Sequence, residues 1–357
     1  MKILMLAWRD MKNPKKGGAE IVTDIYLKGL TDLGHEITLF TATYSGAKNF
    51  EKFNNYKIIR KGNPITASLH GLSYAKKHEK EFDVIIDQVN TIPFFTPLRI
   101  SKKKRIAFFH QLCKNIWFHE SKFPISTIGY LLESIYLKLY KNTKIFVVSN
   151  STKKDLIKYA WAKEKNILVL DNQIDFKPIS KVLEKDDYFV FCGRLTKSKR
   201  VHDCIKAISL VKDSKLYIIG SGDEKYKKYL NKLISKLGVK SRIIFTGKIS
   251  NLERNKIMSK AMAILVTSQR EGWGLIVTEA NANGTIAITY NIEGVVDANK
   301  TGYICSKNNP EKLSKLMNKV KQDPEELNKK SLKSLEFAKE HSNWNSKIKE
   351  LEQWLKN

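Results

Sequence analysis

Short runs of Val, Ile, Leu and Phe, each followed by a stretch long enough for a helix, recur along the whole sequence in two cycles. The first cycle holds strand-like segments at Lys2 to Ala7, Glu36 to Thr41, Tyr56 to Arg60, Asp83 to Asp87, Lys104 to Phe109 and Lys144 to Val148. Runs such as VIID and IFVVS lack the in-out alternation of a half-exposed strand, so they belong to strands covered by helices on both faces. Ala19 to Leu33 shows the helical counterpart, with Ile21, Ile25, Leu27, Leu30 and Leu33 at helical spacing and Gly34 as the stop. Parallel strands need helical crossovers, so this alternation selects a parallel sheet over hairpins or a sandwich. A second cycle starts at Tyr188 to Phe191 and continues through LYIIG at 216–220, RIIFTG at 242–247 and AILVT at 263–267. Between the cycles, Asp171 to Lys185 is polar and contains Pro178, which marks a connector. At 357 residues the chain exceeds the roughly 250 to 300 that one core serves. The predicted fold is therefore α/β, with two Rossmann-like, doubly wound parallel-sheet domains facing across a cleft, at 1–175 and 176–340.

Composition removes several function classes. An apolar fraction of 42 % is too high for a disordered chain, and no stretch reaches the roughly 18 consecutive apolar residues of a membrane span. Arg9 and Asp10 interrupt the amino-terminal apolar run too early for a signal peptide, so a cytoplasmic protein is expected. Lys and Arg outnumber Asp and Glu by 64 to 36, a net charge of +28. The excess is spread evenly, with 29 basic and 16 acidic residues up to position 175 and 35 against 20 after it. Its longest cationic run is Lys102 to Arg105, without interleaved aromatics, so a basic surface is expected rather than a nucleic-acid site. The four cysteines and seven histidines form no metal-ligand spacing, and no metal or cofactor is expected.

Doubly wound sheets bind ligands at the carboxyl ends of their strands, and four loops there carry chemistry. After the first strand, Gly17 and Gly18 open a helix and offer two unshielded amides to a phosphate, although a plain strand-to-helix turn accounts for them equally well. Neither this pair nor Gly220-Ser221-Gly222 completes GxGxxG or a phosphate loop, which weakens NAD and nucleoside-triphosphate readings. After the first strand of the second cycle, Gly193 to Arg200 presents Arg194 and Lys199, a planar fork and a point charge able to grip a diphosphate. The strongest constellation runs from Glu271 to Glu279, with Gly272 and Gly274 making a tight loop and Leu275 to Asn283 helical. Seven residues separate the carboxylates, so one can hold a ribose diol and the other a sugar hydroxyl. Finally, His110 ends a strand in FFHQ, where it can contact substrate or handle a proton.

Together these loops resemble the family 4 glycosyltransferases, retaining enzymes of the GT-B fold that use nucleotide-sugar donors. The resemblance spans nearly the whole chain through GGAE at 17–20, FFHQ, VSNSTKKDL at 148–156, GRLTKSK at 193–199, IIGSGDE at 218–224, FTG at 245–247 and EGWGLIVTEANANG at 271–284. It implies that Arg194 and Lys199 bind the donor diphosphate, Glu279 the ribose and Glu271 the transferred sugar. Amides of Gly17, Gly18 and the loop of Gly272, Trp273, Gly274 and Leu275 would contact phosphates or sugar, with His110 near the anomeric carbon. Gly193 and Gly220 fall in the donor-side loops, and Gly247 with Lys248 would line the base pocket. The donor would be a UDP-, GDP- or ADP-sugar and the acceptor a glycan or lipid-linked glycan, with no metal. Asn281, Thr285 and Glu293 depart from the family pattern of Met, Pro and Gly, which loosens the sugar contacts implied there. In this family a carboxyl-terminal helix returns to the first domain, and the segment at about 341–357 is suitably amphipathic through Trp344, Ile348, Leu351, Trp354 and Leu355. Aromatic and basic residues between 102 and 140 fit either a helix buried in its domain or docking on an anionic membrane. Two further readings compete: a non-catalytic binder of anionic surfaces or nucleic acid on this scaffold, and an inverting or phosphorylase-type GT-B enzyme.

Overall fold

A computed structural model of the chain describes residues 1–357 and divides them into two units, Met1–Asn172 with Trp344–Asn357, and Gln173–Asn343. The first unit is built on an eight-stranded sheet. Its strands are β1 (Lys2–Leu6), β2 (Glu36–Thr41), β3 (Phe50–Phe53), β4 (Tyr56–Arg60), β5 (Val84–Val89), β6 (Arg105–Phe109), β7 (Lys144–Val147) and β8 (Ile167–Val169). Their spatial order is β3-β4-β2-β1-β5-β6-β7-β8. Every pairing is parallel except β3 with β4, an edge hairpin whose turn places Asn54 and Asn55 at positive φ, the backbone that a tight hairpin turn requires. β5 (VIIDQV) is buried at all six positions, Asp87 and Gln88 included, as expected of a strand packed on both faces. The helices of this unit are α1 (Gly18–Asp32), α2 (Ala67–Lys77), α3 (Ile116–Glu120), α4 (Ile125–Tyr136) and α5 (Asn150–Ala160).

The second unit has six parallel strands, β9 (Asp186–Cys192), β10 (Lys215–Ile219), β11 (Ile243–Gly247), β12 (Ala261–Val266), β13 (Ile286–Tyr290) and β14 (Tyr303–Cys305). Their order is β11-β10-β9-β12-β13-β14, the doubly wound arrangement in which the chain works outward one way, returns to the middle and works outward the other way. Its helices are α6 (Val201–Ser209), α7 (Glu224–Lys236), α8 (Asn251–Lys260), α9 (Leu275–Ala282), α10 (Val295–Ala298), α11 (Pro310–Gln322) and α12 (Pro324–Glu340).

The last helix, α13 (Trp344–Lys356), belongs to the first unit. It crosses α1 at Gly29, where an added Cβ would lie 2.1 Å from Ile348 Cδ1, so the crossing needs glycine. Trp344 meets Tyr26 edge to face with centroids 5.4 Å apart, and Lys144 Nζ donates to the Trp354 carbonyl at 2.6 Å. Trp344, Ile348, Leu351 and Leu355 are buried, each contributing about 1.5–3 kcal/mol to holding the helix in place.

Candidate functional site

The chain order of the second sheet reverses between β9 and its neighbour β12. Loops leaving the carboxyl ends of two such strands diverge, opening a crevice where ligands of doubly wound sheets sit. The segment Gly193–Lys199 leaves β9 and Thr267–Gly274 leaves β12, so the two loops singled out in the sequence share this crevice. Three hydrogen bonds stitch them together. Gln269 N donates to the Ser198 carbonyl at 2.8 Å, and Thr267 Oγ1 bonds the carbonyls of Lys199 and Arg200 at 2.9 and 3.1 Å. Across this seam Lys199 Nζ forms an ion pair with Glu271 Oε1, which also accepts from Ser268 Oγ at 2.7 Å. Both charged side chains stay about a fifth exposed, and an ammonium has three donors, so Lys199 can hold Glu271 and an incoming anion together. Arg194 is exposed and pairs with no carboxylate, which leaves a whole guanidinium fork at the mouth of the loop.

Glu279 lies one turn into α9, whose N-cap Gly274 takes φ +92, a conformation that favours glycine. Burial raises the Glu279 carboxyl above the ordinary range, and the guanidinium of Arg254, 3.4 Å away on α8, works in the opposite direction. A desolvated carboxylate with one charged partner has acceptor capacity left for a pair of hydroxyls. Gly294, at φ +79, presses on the same loop from outside: an added Cβ would lie 2.2 Å from the Glu271 carbonyl oxygen. Trp273 is buried, with no hydrogen bond to its indole nitrogen. Cys192, at the end of β9, has its thiol pushed up to about 12, mainly by burial, and is unreactive at neutral pH.

Other glycines have packing duties. At Gly220 an added Cβ would lie 2.0 Å from the Gly193 carbonyl oxygen, and the Gly220 amide already donates to the Gly247 carbonyl at 2.8 Å. Gly193 donates its amide to Ile219 at 3.0 Å. These amides brace the loop behind Arg194 and are not free to meet a phosphate. Gly247 takes φ +70 at the end of β11, followed by the exposed Lys248.

In the first unit Gly17 is the N-cap of α1, and its amide donates to Glu20 Oε2 at 2.6 Å, so of the glycine pair it is Gly18 that stands exposed at the helix start. His110 ends up buried, and desolvation pushes its pKa down to about 3. The ring is therefore neutral at physiological pH. Gln88, at the end of β5, places its amide nitrogen 2.8 Å from His110 Nε2 and also donates to Thr23 Oγ1 on α1. With the amide donating, Nε2 is the acceptor and the ring proton sits on Nδ1. Sequence reasoning missed Gln88, Thr23, Ser268 and Arg254. Ser268, just past the end of β12, and Gln88, just past the strand read at Asp83 to Asp87, had a signal. No group of three or more His, Cys, Asp and Glu side chains is placed to hold a metal ion.

Comparison with known proteins places this geometry. The family model described as Glycosyltransferase Family 4 matches residues 16–177, and the one described as Glycosyl transferases group 1 matches residues 172–334. An uncharacterized glycosyltransferase of Methanocaldococcus jannaschii is 24 % identical over 335 residues, covering 83 % of this chain and 82 % of the relative. Among solved structures, the sucrose-phosphate synthase of Thermosynechococcus elongatus superposes with a TM-score of 0.81 at 16 % identity, over 99 % of this chain and 97 % of the other. Anabaena HepE, solved in complex with UDP and glucose, superposes with a TM-score of 0.78 at 15 % identity, over 100 % and 99 %. Both carry the fold. The chain belongs to the group 1 and family 4 glycosyltransferases and is an enzyme of the GT-B fold.

Proposed function

We propose that the enzyme moves a sugar from a nucleoside-diphosphate sugar (UDP-, GDP- or ADP-linked) to a glycan or lipid-linked glycan, with retention of anomeric configuration and without a metal. It would work in the cytoplasm, at the face of a membrane when the acceptor is lipid-linked. The observation that carries this reading is the set of Arg194, Lys199, Glu271 and Glu279 at the β9/β12 crevice. It joins an unpaired fork, a shared ammonium and two carboxylates with spare acceptor capacity. UDP and glucose in the complex of HepE support a nucleotide-sugar donor of this kind.

In this reading the sugar–phosphate bond breaks toward an oxocarbenium-like state while charge builds on the diphosphate. Arg194 and Lys199 stabilise that charge, supplying what a divalent cation supplies elsewhere. Glu279 accepts from the ribose diol and Glu271 from a sugar hydroxyl, with Lys199 linking sugar and phosphate through its bond to Glu271. The acceptor hydroxyl attacks the face that the diphosphate leaves. His110, neutral and held by Gln88, offers Nδ1–H as a fixed polar contact. A glycosidase-like double displacement would need both carboxylates flanking one bond about 5–5.5 Å apart. That does not fit carboxylates assigned to sugar and to ribose. A thermal-shift screen of UDP, GDP and ADP identifies the donor base, and NMR of the first-formed product reads the anomer. No stabilisation by any nucleoside diphosphate refutes the donor site, and an inverted anomer refutes retention.

A further inference from the structure

Helix α4 sits in the first unit the wrong way round for a globular protein. The side chains it buries are Ser126, Gly129, Glu133 and Tyr136, whereas Ile125, Ile128, Leu131, Leu132 and Ile135 form one stripe that is half exposed or more along its whole length. A helix on a protein core normally turns such a stripe inward. Here the polar face is locked inward. Glu133 is 1 % exposed and accepts from the backbone amides of Cys113 and Lys114 at 2.7 and 2.6 Å and from Trp117 Nε1 at 3.2 Å. Trp117 lies flat on Gly129, where an added Cβ would be 2.5 Å from its ring. Rotating the stripe inward would break all of these contacts. Just before the helix, Phe123 is 82 % exposed, extending the apolar surface by an aromatic ring.

Charge selects what covers this stripe. Between Ser121 and Asn150 the only acidic side chain is the buried Glu133, while Lys122, Lys138 and Lys141 stand exposed around the helix. Two copies facing each other through this patch would oppose lysine to lysine in a chain of net charge +28. An anionic bilayer matches both features, taking the apolar stripe below its headgroups and the lysines at its charged surface. The patch is also well placed for delivery, since the segment 111–124 leads directly from the β6 end that carries His110 to the start of α4.

We propose that α4 and the preceding Phe123 dock this protein on an anionic membrane surface, seating the first unit where a lipid-linked acceptor is presented. The benefit to transfer rests on the lipid-linked reading above; the docking itself does not. The full chain is co-sedimented with vesicles of equimolar phosphatidylglycerol and phosphatidylcholine and with vesicles of phosphatidylcholine alone, and UDP binding is measured in parallel. The wild type should pellet with the anionic vesicles and less with the neutral ones. Ile128→Glu with Ile135→Glu, both on exposed positions, should lower partitioning about ten-fold or more with UDP affinity unchanged. Lys122→Ala, Lys138→Ala and Lys141→Ala together should lower binding to the anionic vesicles alone, by about five-fold per lysine. A wild type that stays in solution with both vesicles overturns the proposal, as does a glutamate variant that pellets undiminished. So does a wild-type dimer that the glutamate variant dissolves, which would make a second copy the occupant. Vesicle binding without binding of UDP, GDP or ADP would refute the donor site and leave the docking standing.

Discussion

Gly294 is the position where a single methyl group tests the loop geometry. It sits at φ +79 with an added Cβ falling 2.2 Å from the Glu271 carbonyl oxygen and 2.5 Å from that of Gly272. Gly294→Ala therefore meets two separate costs. A backbone at positive φ, here with ψ −48, costs an L-residue about 1–3 kcal/mol. Relieving an overlap with backbone, which cannot swing aside like a side chain, costs about 1–3 kcal/mol more. The matched control is Gly238→Ala in the same unit, at φ +66 with nothing within 4 Å of the added Cβ, which meets only the first cost. For a unit of this size each kcal/mol lowers Tm by about 2–4 °C. Gly238→Ala should thus lose about 2–12 °C and Gly294→Ala, carrying both costs, about 4–24 °C. Because the displaced atoms are the carbonyls of Glu271 and Gly272, Gly294→Ala should also weaken nucleoside-diphosphate binding, and Gly238→Ala should not. Calorimetric melts and a UDP titration of both variants decide it. Equal melting points with unchanged UDP affinity would show that Gly294 does not buttress the site.

Further outcomes follow from the same structure. The His110 pKa lies near 3 when folded and 6.5 when unfolded, so the unfolded chain takes up the proton first on acidification. Stability is then full above about pH 6.5 and falls by about 2 kcal/mol between pH 6.5 and 5, and His110→Gln should flatten that part of a Tm–pH profile; an unchanged slope contradicts the buried neutral ring. Glu133→Ala deprives two buried amides and a part-buried indole N–H of this acceptor and should destabilise the protein by about 3–5 kcal/mol in denaturant melts, whereas an effect under about 1 kcal/mol would mean that the carboxylate does not lock α4. Sugar transfer should survive EDTA undiminished, and loss of activity restored by a divalent cation would overturn the metal-free reading.

The strand core was legible because unbroken apolar runs such as Ile3–Ala7 and Ile145–Val148 carry their own signature in composition. Three of the four edge strands left no such mark. β3, FEKF, alternates between exposed and half-buried, and β8 and β14 are three residues each. In the site, Arg194, Lys199 and Glu271 could be found because each stands a few residues past a strand end, where doubly wound sheets collect their ligands. Partners on other elements were hidden. Arg254 reaches Glu279 from α8 and looks in sequence like one of many cations, and Gln88 and Thr23 join His110 only through the fold. The periodicity of α4 revealed an apolar stripe but not its direction, which Glu133 and Gly129 set through contacts with residues 113–117.

We propose that Arg194 and Lys199 hold the donor diphosphate, and isothermal titration of UDP or the preferred nucleoside diphosphate tests this directly. Each charge-assisted contact is worth about 1.5–3 kcal/mol, so Arg194→Ala and Lys199→Ala should each weaken binding about ten-fold or more and together about a hundred-fold. A double variant that melts like the wild type and binds the nucleotide with unchanged affinity would contradict it.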